Sequence, residues 1–153
     1  MLRRTGFKRR AIERKPPVLT PISRPYSAAP AALVAAPKGD EPVRSKALRE
    51  AYRLIPCQHC GAEDGTVVCA HSNWSIHGKA GARKAHDNRS ASLCFGCHGD
   101  LDQGGRMSSD EKRLMWWHAH RRSVLLLTQL GHWPAGVPVP DVDTMPWPEL
   151  LPK

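Results

Sequence analysis

Two pairs of cysteines with the same internal spacing are the first feature of this sequence that could do chemistry. Cys57 and Cys60 form one Cys-x-x-Cys pair, and Cys94 and Cys97 form the other, with 33 residues between the pairs. Two intervening residues let a tight turn present both thiolates to one tetrahedral zinc ion, and Gly61 suits the left-handed turn of a zinc knuckle. The sequence therefore predicts a structural four-cysteine Zn²⁺ site, which folds the domain and leaves no open position for a substrate.

Two histidines stand close to these cysteines in the sequence. His98 directly follows Cys97, and His71 ends an apolar run at 67–70. Zinc would fix the start of the helix that carries His98, and the strand before His71 can pair back toward it. We therefore expect the two imidazoles to converge on one cleft. The fifth cysteine, Cys69, lies inside the apolar run and is expected to be a core residue.

An ordered series of motifs gives the sequence a family resemblance. The series runs Cys57-x-x-Cys60, Ala70-His71, Gly78-x-x-Gly81-x-x-Lys84-x-x-Asp87 and Leu93-Cys94-x-x-Cys97-His98-x-x-Leu101-Asp102. In this order it resembles the HNH, or ββα-metal, nucleases, and among them the phage and prophage YbcO-like group, related to the RecA-dependent nuclease Ref. The resemblance implies an α+β fold, with a small zinc-stapled, treble-clef-like HNH domain that we expect to carry a flanking C-terminal helix.

The resemblance also implies roles for individual residues. His71 corresponds to the general base that takes a proton from the attacking water, and His98 to a ligand of a catalytic Mg²⁺ or Mn²⁺ ion. The best-known HNH pattern has a second metal ligand where this chain has Ala70, so Asp87 is the substitute carboxylate ligand. Asn88 is an alternative functional residue, as the middle residue of the HNH name, whose amide braces the loop that carries the base.

The polar loop before the second cysteine pair supplies candidate phosphate contacts. Lys84 and Arg83 are expected to lie beside the scissile bond, and Lys79 to extend the same patch. Plain solvation explains each of these cations equally well. Asp102 is expected to be a structural acid that hydrogen-bonds the active-site loop.

The elements that must position these side chains follow from capping residues and apolar spacing. Ser45 can cap a short helix that Pro56 stops, and strands are expected at 66–70 and 90–93. A long helix should begin at Ser108 or Ser109 and end at Gly131. One expected face of this helix is formed by Leu114, Trp117, Arg121, Val124, Leu125 and Thr128. Further apolar residues widen that face, which indicates a helix packed on two sides or against a partner.

Charge and proline content divide the chain into three parts. The 153 residues include 23 Lys and Arg against 14 Asp and Glu, and 11 of the basic residues lie within residues 1–46 with only 3 acids. We predict a disordered, basic, proline-rich arm at 1–45, a zinc-containing HNH-like nuclease domain with its C-terminal helix at 46–133, and a proline-rich tail at 134–153. Phosphate contacts from the arm are assigned to Arg3, Arg4, Lys8, Arg9 and Arg10.

These features together predict a metal-dependent DNA endonuclease, encoded by a phage or prophage, that acts in DNA recombination or processing. Its predicted partner is DNA, with a recombinase filament or another phage protein as further candidates. Because the chain has neither an apolar run of about 20 residues nor a secretory signal pattern, we expect it in the cytoplasm of the bacterial host, away from membranes. The alternatives are a non-catalytic zinc-ribbon DNA-binding protein and a scaffold that binds a protein through the long helix.

Overall fold

A two-stranded sheet and three helices make up the computed structural model, which describes residues 41–150. Helix α1 spans Lys46–Ala51, strand β1 Val68–His71, strand β2 Ser90–Leu93, helix α2 Phe95–Asp102 and helix α3 Ser109–Gln129, with 3-10 turns at Ser75–His77 and Pro148–Leu150. The predicted α+β class is confirmed in this mixed architecture. The greater part of the predicted arm, residues 1–40, lies outside the described residues.

The sheet is an antiparallel pair in which His71 lies opposite Ser90 and Val68 lies opposite Leu93. Strand β2 occupies its predicted bounds, and all four of its residues are buried. Strand β1 begins two residues later than predicted, because the backbone N–H and the hydroxyl of Thr66 both donate to Asp64 Oδ1. This local turn removes Thr66 from the ladder. Helix α2 follows β2 directly, so strand, strand and helix are consecutive.

Helix α1 starts where its capping residue predicts. Ser45 Oγ accepts a hydrogen bond of 3.1 Å from the backbone N–H of Leu48, which satisfies one of the free amides of the first turn. The helix ends at Ala51, short of Pro56, and the chain continues through two turn hydrogen bonds from the N–H groups of Arg53 and Leu54. Its buried residues, Leu48 and Ala51, lie in a small apolar cluster with Tyr52.

Helix α3 also has its predicted ends, with a capping box between Ser108 and Glu111 and Gly131 at a φ of +69° beyond its last turn. The predicted face was wrong in part, because Arg121, Leu125 and Thr128 are exposed. The buried face instead includes the polar residues His120 and Ser123.

Backbone groups of β2 explain these buried polar side chains. His120 Nδ1–H donates to the carbonyl oxygen of Ser90, and Ser123 Oγ accepts from the N–H of Ser92. Buried backbone groups need partners, and α3 provides them, since residues 41–150 contain no third strand beside β2. No helix within residues 41–150 has both the length and the apolar content needed to span a bilayer.

Residues 134–150 pack against the domain, so the predicted boundary at 133 does not end the packed structure. Trp147 is 7% exposed, and its ring lies 5.0 Å from that of Trp74. Asn88 Nδ2 donates to the carbonyl oxygen of Pro138, and Arg121 Nε donates to that of Val142. Prolines prevent a helix here, but a chain without regular structure can still bury an aromatic side chain.

Candidate active site

The four cysteines of the two Cys-x-x-Cys pairs lie together. All four sulfur atoms are within 4.8 Å of one another, and Cys60 Sγ is 3.6 Å from Cys94 Sγ. Two sulfurs bound to one tetrahedral zinc at about 2.3 Å would be about 3.8 Å apart. Gly61 has a φ of +79° and donates its N–H to the carbonyl oxygen of Cys57, as expected for the turn of a knuckle. The cluster can therefore hold one metal ion such as zinc.

The surroundings of Cys57 favour its thiolate. Burial alone would raise the pKa of Cys57, but backbone N–H groups of Cys60, Cys94 and His59 lower this pKa to about 7. Cys94 is the N-cap of α2, and Cys97 lies in the first turn of that helix. A metal ion at the cluster would thus fix the start of α2 and, with it, the position of His98.

His71 and His98 line one pocket of about 190 Å³. His71 reaches it from the end of β1, and His98 from α2. The other lining residues are Cys69, Ser72, Asn73, Lys79, Lys84 and Asp102. The structure thus brings both predicted imidazoles to one cleft, together with two of the predicted phosphate-binding lysines. Cys69 is half-buried and faces this pocket, so it is not a fully enclosed core residue.

Asp87 lies against His71 and not in the pocket that His98 lines. Its Oδ1 is 2.9 Å from His71 Nε2, and its carboxylate also forms ion pairs with Arg44 and Arg49 and accepts from the N–H of Ser45. The side chain is only 2% exposed. A buried carboxylate requires such partners, and they occupy both of its oxygens. The structure therefore makes Asp87 a residue that holds the His71 ring in place, in contrast to the predicted metal ligand.

This arrangement lowers the pKa of both groups. Burial would raise the pKa of Asp87, but hydrogen bonds from His71, Ser45 and Arg49 hold it below its usual range, so the carboxylate is charged at neutral pH. Burial lowers the pKa of His71, against the raising effect of Asp87. A neutral His71 that donates from Nε2 carries its lone pair on Nδ1.

The predicted bracing role of Asn88 does not fit its contacts. Its amide donates to the carbonyl oxygen of Pro138, at 2.9 Å, and so holds the C-terminal segment. The loop after His71 is held by other groups, because Ser72 donates its N–H to the carbonyl oxygen of Arg89 and Asn73 Nδ2 donates to Asp102 Oδ1. Asp102 thus hydrogen-bonds the loop that follows His71, as expected.

Basic side chains line three clefts that share His71. His71 and Lys84 line all three of the clefts that meet at this point. The seven cations that line these clefts are named here the basic surface: Arg44, Lys46, Arg49, Arg53, Lys79, Arg83 and Lys84. Three of the predicted nucleic-acid contacts belong to it, whereas those at residues 3–10 lie outside the described part of the chain.

Four members of the basic surface were missed by sequence reasoning. Lys46, Arg49 and Arg53 follow one another at spacings of three and four residues, which places them along one side of α1 and its C-terminal turn. This spacing could have predicted a basic side of α1 from the sequence. Arg44 gave no such signal, because its side chain is placed by hydrogen bonds to the carbonyl oxygens of Lys84 and Ala85 and by Asp87.

His77, His86 and the adjacent residues Trp116 and Trp117 have structural positions. The ring of His77 is buried, and its Nδ1 forms a hydrogen bond of 2.7 Å with Ser72 Oγ. Burial lowers the pKa of His77 to about 3. His86 Nδ1 accepts from the backbone N–H of Val43. Gly78 is required beside it, because a Cβ there would lie 2.4 Å from the His86 ring. Trp116 and Trp117 are buried in the core, so their rings are not available to stack on bases.

Comparisons with protein-family models, with curated proteins and with solved structures each found no match. The function of this chain is therefore inferred from its own residues and their geometry.

Proposed function

We propose that the protein is a metal-dependent endonuclease of the HNH, or ββα-metal, class that hydrolyses phosphodiester bonds of DNA. One observation carries the proposal. His71, held by the buried carboxylate of Asp87, shares a pocket with His98 and two lysines. A histidine tied to a carboxylate at the edge of a cationic pocket has the parts needed for proton abstraction next to a phosphate.

His71 would act as the general base. Its Nδ1 carries the lone pair, its lowered pKa keeps the ring neutral at pH 7, and Asp87 stabilises the imidazolium that forms when a water molecule loses its proton. Lys79 and Lys84 line the same pocket and would hold the anionic phosphate in place.

His98 supplies an imidazole lone pair to the same pocket, which fits a ligand of Mg²⁺ or Mn²⁺. A divalent cation bound there would contribute Lewis-acid stabilisation of the negative charge that develops on the phosphate. The four-cysteine cluster is proposed to hold a structural Zn²⁺, which leaves the cluster without an open position for chemistry.

The basic surface supports DNA as the substrate. None of the three clefts that meet at His71 is lined by Trp, Tyr or Phe, so their chemistry favours contacts to phosphates over stacking on bases. We therefore propose cleavage with little direct base readout.

The alternative of a non-catalytic zinc-containing DNA-binding protein would use the cysteine cluster and the basic surface alone. It gives no reason for a buried Asp87 that orients His71 toward a pocket. The scaffold alternative is weakened by the packing of α3, because both tryptophans, Met115, Val124 and Leu127 of this helix are buried within residues 41–150. Only Leu125 and Leu130 of its large apolar side chains are exposed in this part of the chain.

A plasmid cleavage assay with zinc-loaded full-length protein tests the proposal. Mg²⁺ or Mn²⁺ should support cleavage, and His71→Ala should lower the rate by about 10²-fold or more, the contribution typical of acid–base catalysis. His98→Ala should lower the rate as well, because a ligand of the catalytic cation is lost. Zinc content and DNA affinity should be unchanged in the His71→Ala variant. His118→Ala is the matched control, because His118 is an exposed histidine on α3.

Two results would contradict the nuclease. If the protein binds DNA but cleaves it with neither cation, the non-catalytic alternative holds. If His71→Ala cleaves as fast as the wild type, the base lies elsewhere.

A further inference from the structure

The pocket contains a second possible donor next to His98. Asp102 is one helical turn further along α2, and its Oδ2 lies 3.1 Å from His98 Nε2. Both side chains are partly exposed, at 33% for His98 and 39% for Asp102, and both line the pocket that contains His71. A spacing of four residues on one helix places two side chains on the same face.

The two atoms are close enough to bind one cation together. His98 Nε2 and Asp102 Oδ2 lie 3.1 Å apart, and both side chains can offer a lone pair to a metal ion. Two neighbouring ligands of an octahedral cation, each bound at about 2.1 Å, lie about 3 Å apart. The separation of His98 Nε2 from Asp102 Oδ2 therefore fits two ligands of one ion.

A second observation concerns the other oxygen of the same carboxylate. Asn73 Nδ2 donates to Asp102 Oδ1 at 2.7 Å. Asn73 belongs to the loop after β1, so this bond ties the carboxylate to the strand that carries His71. Carboxylates that bind metals are commonly oriented by such a hydrogen bond to the oxygen that does not bind the ion.

From this juxtaposition we infer that His98 Nε2 and Asp102 Oδ2 are two ligands of one hard divalent cation, with Asn73 orienting Asp102. The inference rests on the proposed function, since the cation would be the one used in hydrolysis. Asp102 then supplies the carboxylate that Ala70 lacks and that Asp87 cannot offer. The remaining positions of the ion would be taken by water and by phosphate oxygens, as is usual for Mg²⁺ and Mn²⁺. Lys79 and Lys84 repel a bare cation, so a bound phosphate should strengthen its binding.

Binding of Mn²⁺ to zinc-loaded full-length protein, followed by electron paramagnetic resonance, tests this site without relying on activity. Mn²⁺ is a hard ion that does not displace zinc from thiolates, so it reports the oxygen and imidazole ligands alone. We expect one Mn²⁺ per chain in the wild type and at least a tenfold loss of affinity in Asp102→Asn and in His98→Gln.

The matched control is Asp100→Asn. Asp100 lies on the same helix with a similar exposure of 33%, but it pairs with Arg106 and does not line the pocket. Its variant should bind Mn²⁺ as the wild type does. An Asp102→His variant keeps a metal-binding lone pair at this position. Compared with Asp102→Asn, it should bind Ni²⁺ more tightly, with a smaller gain for Mn²⁺. Circular dichroism and zinc content confirm that each variant is folded.

The outcomes separate this inference from the nuclease proposal. If Asp102→Asn binds Mn²⁺ as tightly as the wild type, or if the wild type binds none, the site is overturned. A wild type that binds Mn²⁺ through the pair but leaves DNA intact supports the site and rejects the nuclease. A wild type that cleaves DNA, with Asp102→Asn cleaving equally fast, rejects the ligand and keeps the nuclease.

Discussion

Asp87 connects the proposed base to the segment that precedes α1. Its carboxylate contacts His71 from β1, Arg44 and Ser45 from the chain before α1, and Arg49 from the helix itself. A buried charge deprived of these partners would be costly, by several kcal/mol, so the contacts hold one another in place. The orientation of His71 therefore depends on residues that are far from it in sequence.

We predict that Asp87→Asn slows DNA cleavage by about 10²- to 10⁴-fold, because an amide no longer selects the His71 tautomer or stabilises its imidazolium. Asp87 raises the pKa of His71 against the lowering effect of burial. Its removal should lower that pKa further, so the acid limb of the pH–rate profile should move to lower pH.

The rate should be measured from pH 5 to pH 8 beside Asp143→Asn, which changes an exposed carboxylate paired with Arg121. Thermal unfolding of both variants separates the effect of the missing ion pairs on stability from the effect on catalysis. An Asp87→Asn profile that overlays the wild-type profile at a similar rate would contradict the positioning role.

Among the secondary-structure elements, α3 provides a hydrogen-bond donor to strand β2 through the buried side chain of His120. The His120 ring stacks on Trp116, with centroids 4.7 Å apart, and its Nδ1–H donates to Ser90. Its Nε2 is buried without a partner among the described residues, so a proton there would be an unpaired buried charge. Burial accordingly lowers the pKa of His120 to about 4.

This burial predicts a loss of stability in mild acid. The unfolded chain binds a proton at His120 below about pH 6.5, whereas the folded protein does so only below about pH 4. The free energy of unfolding should therefore be highest above pH 6.5 and fall as the pH decreases, with His120 accounting for about 2 kcal/mol by pH 5. His77, with its pKa near 3, should add a similar loss.

Urea unfolding of zinc-loaded wild type and His120→Asn, at pH 7 and pH 5, measures this contribution. The asparagine amide can still donate to Ser90 but does not titrate, so the variant should lose less stability between the two pH values. Protonation of the cysteine cluster affects both proteins and cancels in the difference. Equal losses in the two proteins would show that His120 does not carry the effect.

In the molecule as a whole, the basic surface includes Arg44, which lies close to the first described residue, 41. Val43 and Arg44 bond to His86, Lys84 and Ala85, so the segment before α1 lies against the loop that carries Asp87. Residues 1–40 contain nine further Lys and Arg. The predicted boundary between arm and domain at residue 45 therefore lies too far along the chain, because residues 43–45 contact the loop that carries Asp87.

Deletion of residues 1–40 is predicted to weaken DNA binding and to flatten its salt dependence, by up to about 0.9 in the log–log slope for each phosphate that the arm no longer neutralises. Cleavage of saturating DNA should persist, because the partners of Asp87 remain. Deletion of 1–45 should in addition lower the cleavage rate, since Arg44 and Ser45 are removed. Fluorescence anisotropy between 50 and 300 mM salt measures the slopes, and identical slopes with and without 1–40 would reject a role for the arm.

The sequence by itself determined the features that depend on neighbours along the chain. The two Cys-x-x-Cys pairs predicted the sulfur cluster, and Ser45 and Ser108 predicted the starts of α1 and α3, because knuckles and caps are local geometries. The position of His98 one residue after the cluster belongs to the same class.

Which distant residues become partners depends on the tertiary fold. The pairing of Asp87 with His71, the turning of His120 toward β2 and the packing of Trp147 join residues separated by many positions. Once water is excluded, each buried polar group must take whichever partner the fold brings near, and no spacing along the chain encodes that choice. For this reason Asp87 could be predicted as a site residue, but the predicted role of metal ligand was wrong, because its carboxylate pairs with His71.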